Sequence, residues 1–313
     1  MGVIEVQSPG LFTTVQDLGR ESFGPLGVSP SGAADPISLR LGNRLVGNPD
    51  NAAGLEMTLL GGAFLFREPA VAALAGSDFG ANLDGSPVGL WSSFEICNGQ
   101  TLRLGPTRTG ARCYLCLQGG IEVKLFLGSA STHILSGLGG LEGRALRKGD
   151  VLNIGPPTAP FRQRTIAPRA LEALQPRKIL RVTRGPQSDW FSAASLAGFY
   201  NCTYRVTEDS NRMGLRLEGT AIDGQVSGQM ISEGVSLGAI QVPAGGQPII
   251  LFVEQQTAGG YPKIANVISA DLAGVGQLRP RDEIRFERVE LETARSLLRE
   301  QEALFRSGVL ILE

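Results

Sequence analysis

Short apolar runs broken by glycine, proline and asparagine fill most of the chain, and only a few stretches repeat apolar residues at the helical period. The clearest spans 36–47, where Ile37, Leu41 and Leu45 recur at four-residue intervals behind Asp35 as N-cap and Pro36 at the first helical position. A second, 291–306, collects Ala294, Leu297, Leu298, Leu304 and Phe305 on one face and charge on the other, and a third, shorter helix is expected after Ser188. The remainder reads as strands. Segments 62–66, 101–104, 112–117, 179–182 and 248–253 are short, bounded by turn formers and spaced as in an all-β barrel or sandwich. They do not alternate with helices, which argues against a doubly wound sheet.

An internal echo points to two copies of one architecture. Leu146-Arg147-Lys148-Gly149-Asp150-Val151-Leu152-Asn153-Ile154 resembles Leu278-Arg279-Pro280-Arg281-Asp282-Glu283-Ile284-Arg285-Phe286, each reading as a turn that enters a closing strand. A weaker pair is Gly54-Leu55-Glu56-Met57 and Gly214-Leu215-Arg216-Leu217. The expected organisation is an N-terminal β-barrel lobe over 1–160, a C-terminal β-barrel lobe over 175–290 and a helical extension over 291–313. A linker is expected at 156–176, where Pro156, Pro157, Pro160, Pro168 and Pro176 mix with Arg162, Arg164, Arg169 and Arg177.

Composition narrows the function classes. The 313 residues suit two domains at roughly 150 each, and 29 basic against 30 acidic side chains leave a net charge of −1, so neither nucleic acid nor an acidic tail is indicated. Charged residues are 19%, below the usual level of about 25%, while 42 glycines and 18 prolines mark a chain that turns often; no tract reads as disordered. The longest clean apolar run, 249–253, is far short of the ~20 residues that cross a bilayer, and residues 1–10 carry no secretory or lipidation signal. A cytoplasmic protein without a membrane partner is expected. Four cysteines, Cys97, Cys113, Cys116 and Cys202, read as reduced core filler. With His133 as the single histidine, no metal site is expected, and chemistry must run largely on carboxylates, amides and hydroxyls.

The phosphate loop, the dinucleotide fingerprint, the zinc-protease helix and the serine-hydrolase elbow are all missing. Cys113 and Cys116 form a CxxC, but in a strand that spacing sends the sulfurs to opposite faces. Two loops stand out. The first, Gly27-Val28-Ser29-Pro30-Ser31-Gly32-Ala33-Ala34-Asp35-Pro36, empties into a helix start, where free N–H groups joined by Ser29 and Ser31 suit a carboxylate or phosphate. The alternative is that Asp35 caps the helix and the serines turn the chain. The second, Glu254-Gln255-Gln256-Thr257-Ala258-Gly259-Gly260-Tyr261-Pro262, leaves a core strand with amides and a hydroxyl; Gly259 and Gly260 allow close approach of a ligand and Pro262 sets Tyr261 extended. A hairpin with solvated amides is its other reading. Arg212 suits a two-pronged anion clamp and Glu233 an acid or base, unless each is a surface ion pair. His133 reads as structural.

The ordered segments Gly10-Leu11-Phe12-Thr13-Thr14-Val15-Gln16-Asp17-Leu18-Gly19-Arg20, the loop from Gly27 to Pro36, Gly119-Gly120-Ile121, Leu127-Gly128-Ser129, Gly137-Leu138-Gly139-Gly140, Asn211-Arg212-Met213-Gly214, Ser232-Glu233-Gly234, Gly238-Ala239-Ile240-Gln241-Val242-Pro243 and Gln256 to Pro262 resemble the family of 5-oxoprolinase C subunits, also called allophanate hydrolase subunit 2 or the biotin-dependent carboxyltransferase A and B domains. The resemblance runs from about residue 3 to 287. It implies a mainly β fold of two tandem cyclophilin-like β-barrel domains with few short helices. It also implies an enzyme active only within a complex: together with a B subunit (like allophanate hydrolase subunit 1) and an A subunit, it converts 5-oxoproline to glutamate with ATP hydrolysis. Other relatives imply a carboxyltransferase component served by a biotin carrier, or a regulatory protein that antagonises a kinase inhibitor. The site the resemblance and the loops suggest together takes Glu233, Arg212 and Tyr261 as catalytic residues and Gln256, Thr257, Gly259, Gly260, Ser29, Ser31 and Arg20 as binding residues for a small amide. In it Gln256 and Thr257 hold the amide, Arg212 the carboxylate or a phosphoryl oxygen, and Glu233 moves protons.

Overall fold

The strand-forming runs pair into two separate systems of sheet, seen in a computed structural model that describes residues 2–157, 160–223, 230–307 and 310–312. Tertiary contacts divide the chain into two units, one of residues 1–20, 31–174 and 307–313, the other of 21–30 and 175–306.

In the first unit the strands are β1 (Gly2–Ser8), β2 (Phe12–Gln16), β3 (Gly54–Thr58), β4 (Ala63–Phe66), β5 (Ala70–Gly76), β6 (Asn82–Leu83), β7 (Ser86–Pro87), β8 (Ser93–Ile96), β9 (Thr101–Arg103), β10 (Arg112–Leu117), β11 (Ile121–Glu122) and β12 (Val151–Ile154). They form a seven-stranded sheet, β11-β12-β1-β4-β9-β6-β7, and a five-stranded sheet, β2-β3-β10-β5-β8. Ile4, Val6, Phe64 and Leu152 of the first meet Val15, Leu55, Leu74 and Leu115 of the second in one core. Helix α1 (Pro36–Leu45) packs against β5 and β10, with the Asp35 carboxylate accepting from Ser38 N–H at 3.0 Å as the N-cap reading required. β10 is buried on both faces. Its Cys113 joins the core, while Cys116 Sγ turns to Leu39 O of α1 at 3.7 Å, so the two sulfurs do part. Burial pushes both thiols well above their ordinary pKa. The core reading of the other cysteines is corrected: Cys97 is exposed and Cys202 only half-buried.

The proline-arginine stretch is more than a spacer. It contains β13 (Thr165–Ile166), paired with Ile311–Leu312, and α2 (Pro168–Ala173), which Pro168 opens at the position where its missing N–H costs nothing. Ser93 N–H donates to Arg164 O at 2.9 Å, fastening the segment to β8.

The second unit contains β14 (Ile179–Arg184), α3 (Ala193–Asn201), β15 (Tyr204–Val206), β16 (Gly214–Glu218), β17 (Glu233–Gly234), β18 (Ala239–Gln241), β19 (Ile249–Leu251), β20 (Ala258–Gly259), β21 (Lys263–Val267), α4 (Leu272–Gly276), β22 (Glu283–Arg288) and α5 (Leu291–Arg306). Seven of these strands close a barrel in the order β14-β21-β18-β19-β16-β15-β22, and β17 and β20 form a separate ribbon. Alternate positions such as Val182, Leu215, Leu217, Ile240, Ile250 and Ile264 are fully or nearly fully buried. Phe199 of α3 stacks on Phe286 with ring centroids 4.6 Å apart. Helix α5 has the expected bounds and seats Ala294 and Leu297 on Ile268 and Ala270. The chain is thus mainly β with few helices, as its strand pattern foretold. No described helix is long and apolar enough to cross a membrane.

The stronger internal echo is structural. Asp150 N–H donates to Arg147 O at 3.1 Å and Arg147 N–H to the Asp150 carboxylate at 2.7 Å; the same pair of bonds joins Asp282 and Arg279, at 3.1 and 2.9 Å. Beyond each turn, Asp150 O accepts from Val6 N–H at 2.9 Å and Asp282 O from Val206 N–H at 3.0 Å. The triplets β12-β1-β4 and β22-β15-β16 therefore correspond. The weaker echo does not hold, because β3 lies between β2 and β10 whereas β16 takes the place of β4.

Candidate functional site

Register in the barrel aligns four residues from four strands. Arg216 stands opposite Ile249, Ile249 opposite Gln241, and Gln241 opposite Lys263, a row across β16, β19, β18 and β21. Their neighbours Leu215, Ile250 and Ile240 fill the interior, so the row lies on the outer face. A bulge between Ile240 and Gln241 sets the last pairing. Over this row opens a groove of about 290 Å³ with Gly214, Ile249 and Leu251 beneath it and Met213, Pro243, Gln256 and Tyr261 around it.

Of the polar side chains lining the groove, Gln241 and Arg216 stand apart. Gln241 is 1% exposed; its Oε1 accepts from Gln256 Nε2 at 3.4 Å, and its Nε2 has no hydrogen-bond partner among the described residues. A buried donor left unmet costs about 1–3 kcal/mol. Arg216 is exposed, and no described side chain engages its guanidinium.

At the end of the row Lys263, with a side chain only 5% exposed, forms an ion pair with Glu233 Oε1. Gln187 Nε2 donates to the same oxygen at 2.8 Å, and Gln187 Oε1 accepts from Lys263 N–H at 3.2 Å. Hydrogen bonds from Lys263 and Gln187 hold the Glu233 carboxyl below the usual carboxylate range, so it is an acceptor at neutral pH. Glu233 in turn stands opposite Gly259 in the β17–β20 ribbon. A Cβ on Gly259 would lie 2.7 Å from Gln241 Nε2, so a side chain at this position would press on that amide.

The expected site residues thus separate. Gln256 and Tyr261 line the groove, and Gly259 backs onto Gln241. Thr257 is half-buried with its carbonyl accepting from Val235 N–H at 3.1 Å, and a Cβ on Gly260 would lie 3.2 Å from Met230 O. Arg212 does not line the groove. It is 5% exposed, its Nε donates to Glu254 Oε1 at 2.5 Å, and Glu254 N–H returns to Arg212 O at 2.8 Å. Ser29, in segment 21–30, is buried. Arg20 and Ser31 belong to the first unit: Arg20 donates to Ser131 O and lies over the Phe126 ring at 5.5 Å, while Ser31 Oγ donates to Thr132 O at 2.7 Å.

At the start of α1 the anions are the chain's own. Ala34 N–H donates to Glu56 Oε2 at 2.8 Å and Asp35 caps Ser38, so the capping alternative describes this loop. Tyr114 OH donates to the same Glu56 oxygen at 2.7 Å, and Arg112 stands 3.5 Å from the other. His133 Nδ1 accepts from Ser136 N–H at 3.2 Å, a turn-holding bond. Among the described residues no group of three or more His, Cys, Asp or Glu could hold a metal. Sequence reasoning missed Arg216, Gln241, Lys263 and Gln187. The one available signal was a polar residue within or at the end of an apolar strand, at Arg216, Gln241 and Lys263; Gln187 lies outside any strand.

The chain is a member of the carboxyltransferase domain family, subdomains A and B, whose model matches residues 26–288. More particularly, it is similar to the C subunit of 5-oxoprolinase from Escherichia coli (strain K12), with 36% identity over 303 residues that cover 97% of this chain and 96% of that protein. It is also 36% identical to urea amidolyase of Lachancea kluyveri over 321 residues, 96% of this chain but 18% of that protein. The solved structure of K. lactis urea amidolyase matches with a TM-score of 0.91 and 34% identity, over 99% of this chain and 20% of that one. The family resemblance read from the motifs is therefore established.

Proposed function

We propose that this chain is the C subunit of an ATP-dependent 5-oxoprolinase, a cytoplasmic complex in which it acts with A and B subunits and has no turnover alone. The observation that carries this reading is the extent of the match: the E. coli C subunit aligns over 97% of this chain and 96% of that protein, whereas the match to urea amidolyase takes in 18% of that protein. The site chemistry agrees with it. Gln256 and Thr257 present an amide and a hydroxyl to a lactam, Tyr261 adds a second hydroxyl, and Glu233, charged at neutral pH, accepts a proton from the water that attacks the ring carbonyl and returns it to the ring nitrogen as the C–N bond breaks. Arg212 holds the root of the Tyr261 loop through Glu254 instead of meeting the ligand. ATP is a substrate of the complex, and its hydrolysis supplies the driving force.

A second reading rests on the match to urea amidolyase: a carboxyltransferase component that receives its carboxyl group from a biotinylated carrier. One reconstitution separates the two. Mixing this chain with its A and B subunits should give ATP hydrolysis that depends on 5-oxoproline and is absent from each polypeptide on its own. Turnover with urea and a biotinylated carrier, and none with 5-oxoproline, would overturn the first reading.

A further inference from the structure

We propose that the outer groove of the barrel binds a small carboxylate that also carries an amide carbonyl, with Arg216 gripping the carboxylate and Gln241 Nε2 donating to the carbonyl. The ligand's identity as 5-oxoproline rests on the function proposed above; the chemistry of the groove does not.

Gln241 is the first reason. Gln256 uses its Oε1, which leaves Nε2 as the end without a partner among the described residues, at a residue 1% exposed and on the groove wall. Nε2 lies covered beside Gly259, and a turn of the Gln241 amide brings it to an acceptor in the groove. Arg216 is the second. It lies in the same cross-strand row two strands away, roughly 10 Å at the backbone, and its long side chain can present two parallel N–H groups to a carboxylate. Lys263, farther along the row, already has its charge matched by Glu233, so the groove's available positive charge is that of Arg216 and suits a monoanion.

Between the two donors lie Ile249 and Leu251, which favour a compact hydrocarbon body over a second charged group. The volume of about 290 Å³ is at the small end of ligand pockets and fits such an acid better than a nucleotide.

The test uses Arg216→Gln and Gln241→Leu in the complex reconstituted with the A and B subunits. Each should raise KM for 5-oxoproline at least tenfold with a smaller change in kcat, as expected for a lost charged or buried hydrogen bond. An unchanged KM in folded variants overturns the inference. Should Gln241→Leu fail to fold, the exposed Arg216 decides alone. If the wild-type complex does not turn over 5-oxoproline, the function reading fails by itself, and the groove is judged by calorimetric titration of the full chain with 5-oxoproline and with N-acetylglycine. Binding of either probe that weakens tenfold in Arg216→Gln supports the groove; no binding of both, or equal binding by the variant, overturns it.

Discussion

Gly149 and Arg281 occupy the same position of the same tight turn, one in each unit, with φ of +88° and +72°. Both precede the aspartate whose N–H closes the turn, and both donate their own N–H to a valine carbonyl, Val6 at 2.8 Å and Val206 at 2.7 Å. Glycine takes this left-handed conformation freely, whereas a side chain there costs about 1–2 kcal/mol.

Exchanging the residues should therefore have opposite effects. Gly149→Arg is expected to lower stability by about 1 kcal/mol, and Arg281→Gly to raise it by up to about 1 kcal/mol, less the entropy glycine adds to the unfolded chain. The exposed Arg281–Glu208 ion pair lost in the second variant contributes little. Urea denaturation of both variants checks this, and a loss of equal size in each would contradict the shared geometry.

The pH response of the site should depend on Lys263. A carboxyl held below its ordinary value stays charged to lower pH in the folded chain; that contribution is present above the unfolded value of about 4.3 and disappears as pH falls through the lowered folded one. Lys263→Met removes the principal partner and lets the Glu233 carboxyl rise, so the acid limb of the activity profile should move to higher pH. A profile with its acid limb unmoved would show that Glu233 is not the group being titrated.

Thiol chemistry should sort the cysteines by place. Cys97 is exposed and should react with an aromatic disulfide reagent at once, whereas Cys113 and Cys116, buried and with raised pKa, should wait for unfolding. Rapid labelling of three or more thiols in the native chain would contradict the packing of β10.

Gly259→Ala is expected to disturb ligand binding more than folding. The new Cβ meets the far end of a flexible side chain, Gln241 Nε2 at 2.7 Å, which can swing aside. Thermal stability should change by about 0.5 kcal/mol or less, within the range of surface substitutions, while KM for the amide substrate rises. Gly42→Ala makes the contrast: its Cβ would fall 2.6 Å from Cys116 Sγ beneath α1, and overpacking there should cost about 1–3 kcal/mol.

Local signals were legible where they were sufficient. Helix α5 and strand β10 have the bounds their periodicity gave, and Asp35 caps α1 as its position before Pro36 indicated. The groove was not legible, because Arg216, Gln241 and Lys263 each look like an ordinary outward residue of an alternating strand. Only barrel closure and the bulge beside Gln241 put them in one row. The loop before α1 misled for the converse reason. Its donors looked available from sequence, but Glu56, 22 residues farther on than Ala34, comes back across the sheet to take one of them.

The division of the chain into units has a topological consequence. Segment 21–30 clusters with the second unit although the first surrounds it in sequence, and 307–313 returns to the first after the second is complete. No single cut therefore releases either unit whole: a fragment ending at residue 174 lacks its final strand partner for β13, and one starting at 175 lacks an early segment of its own.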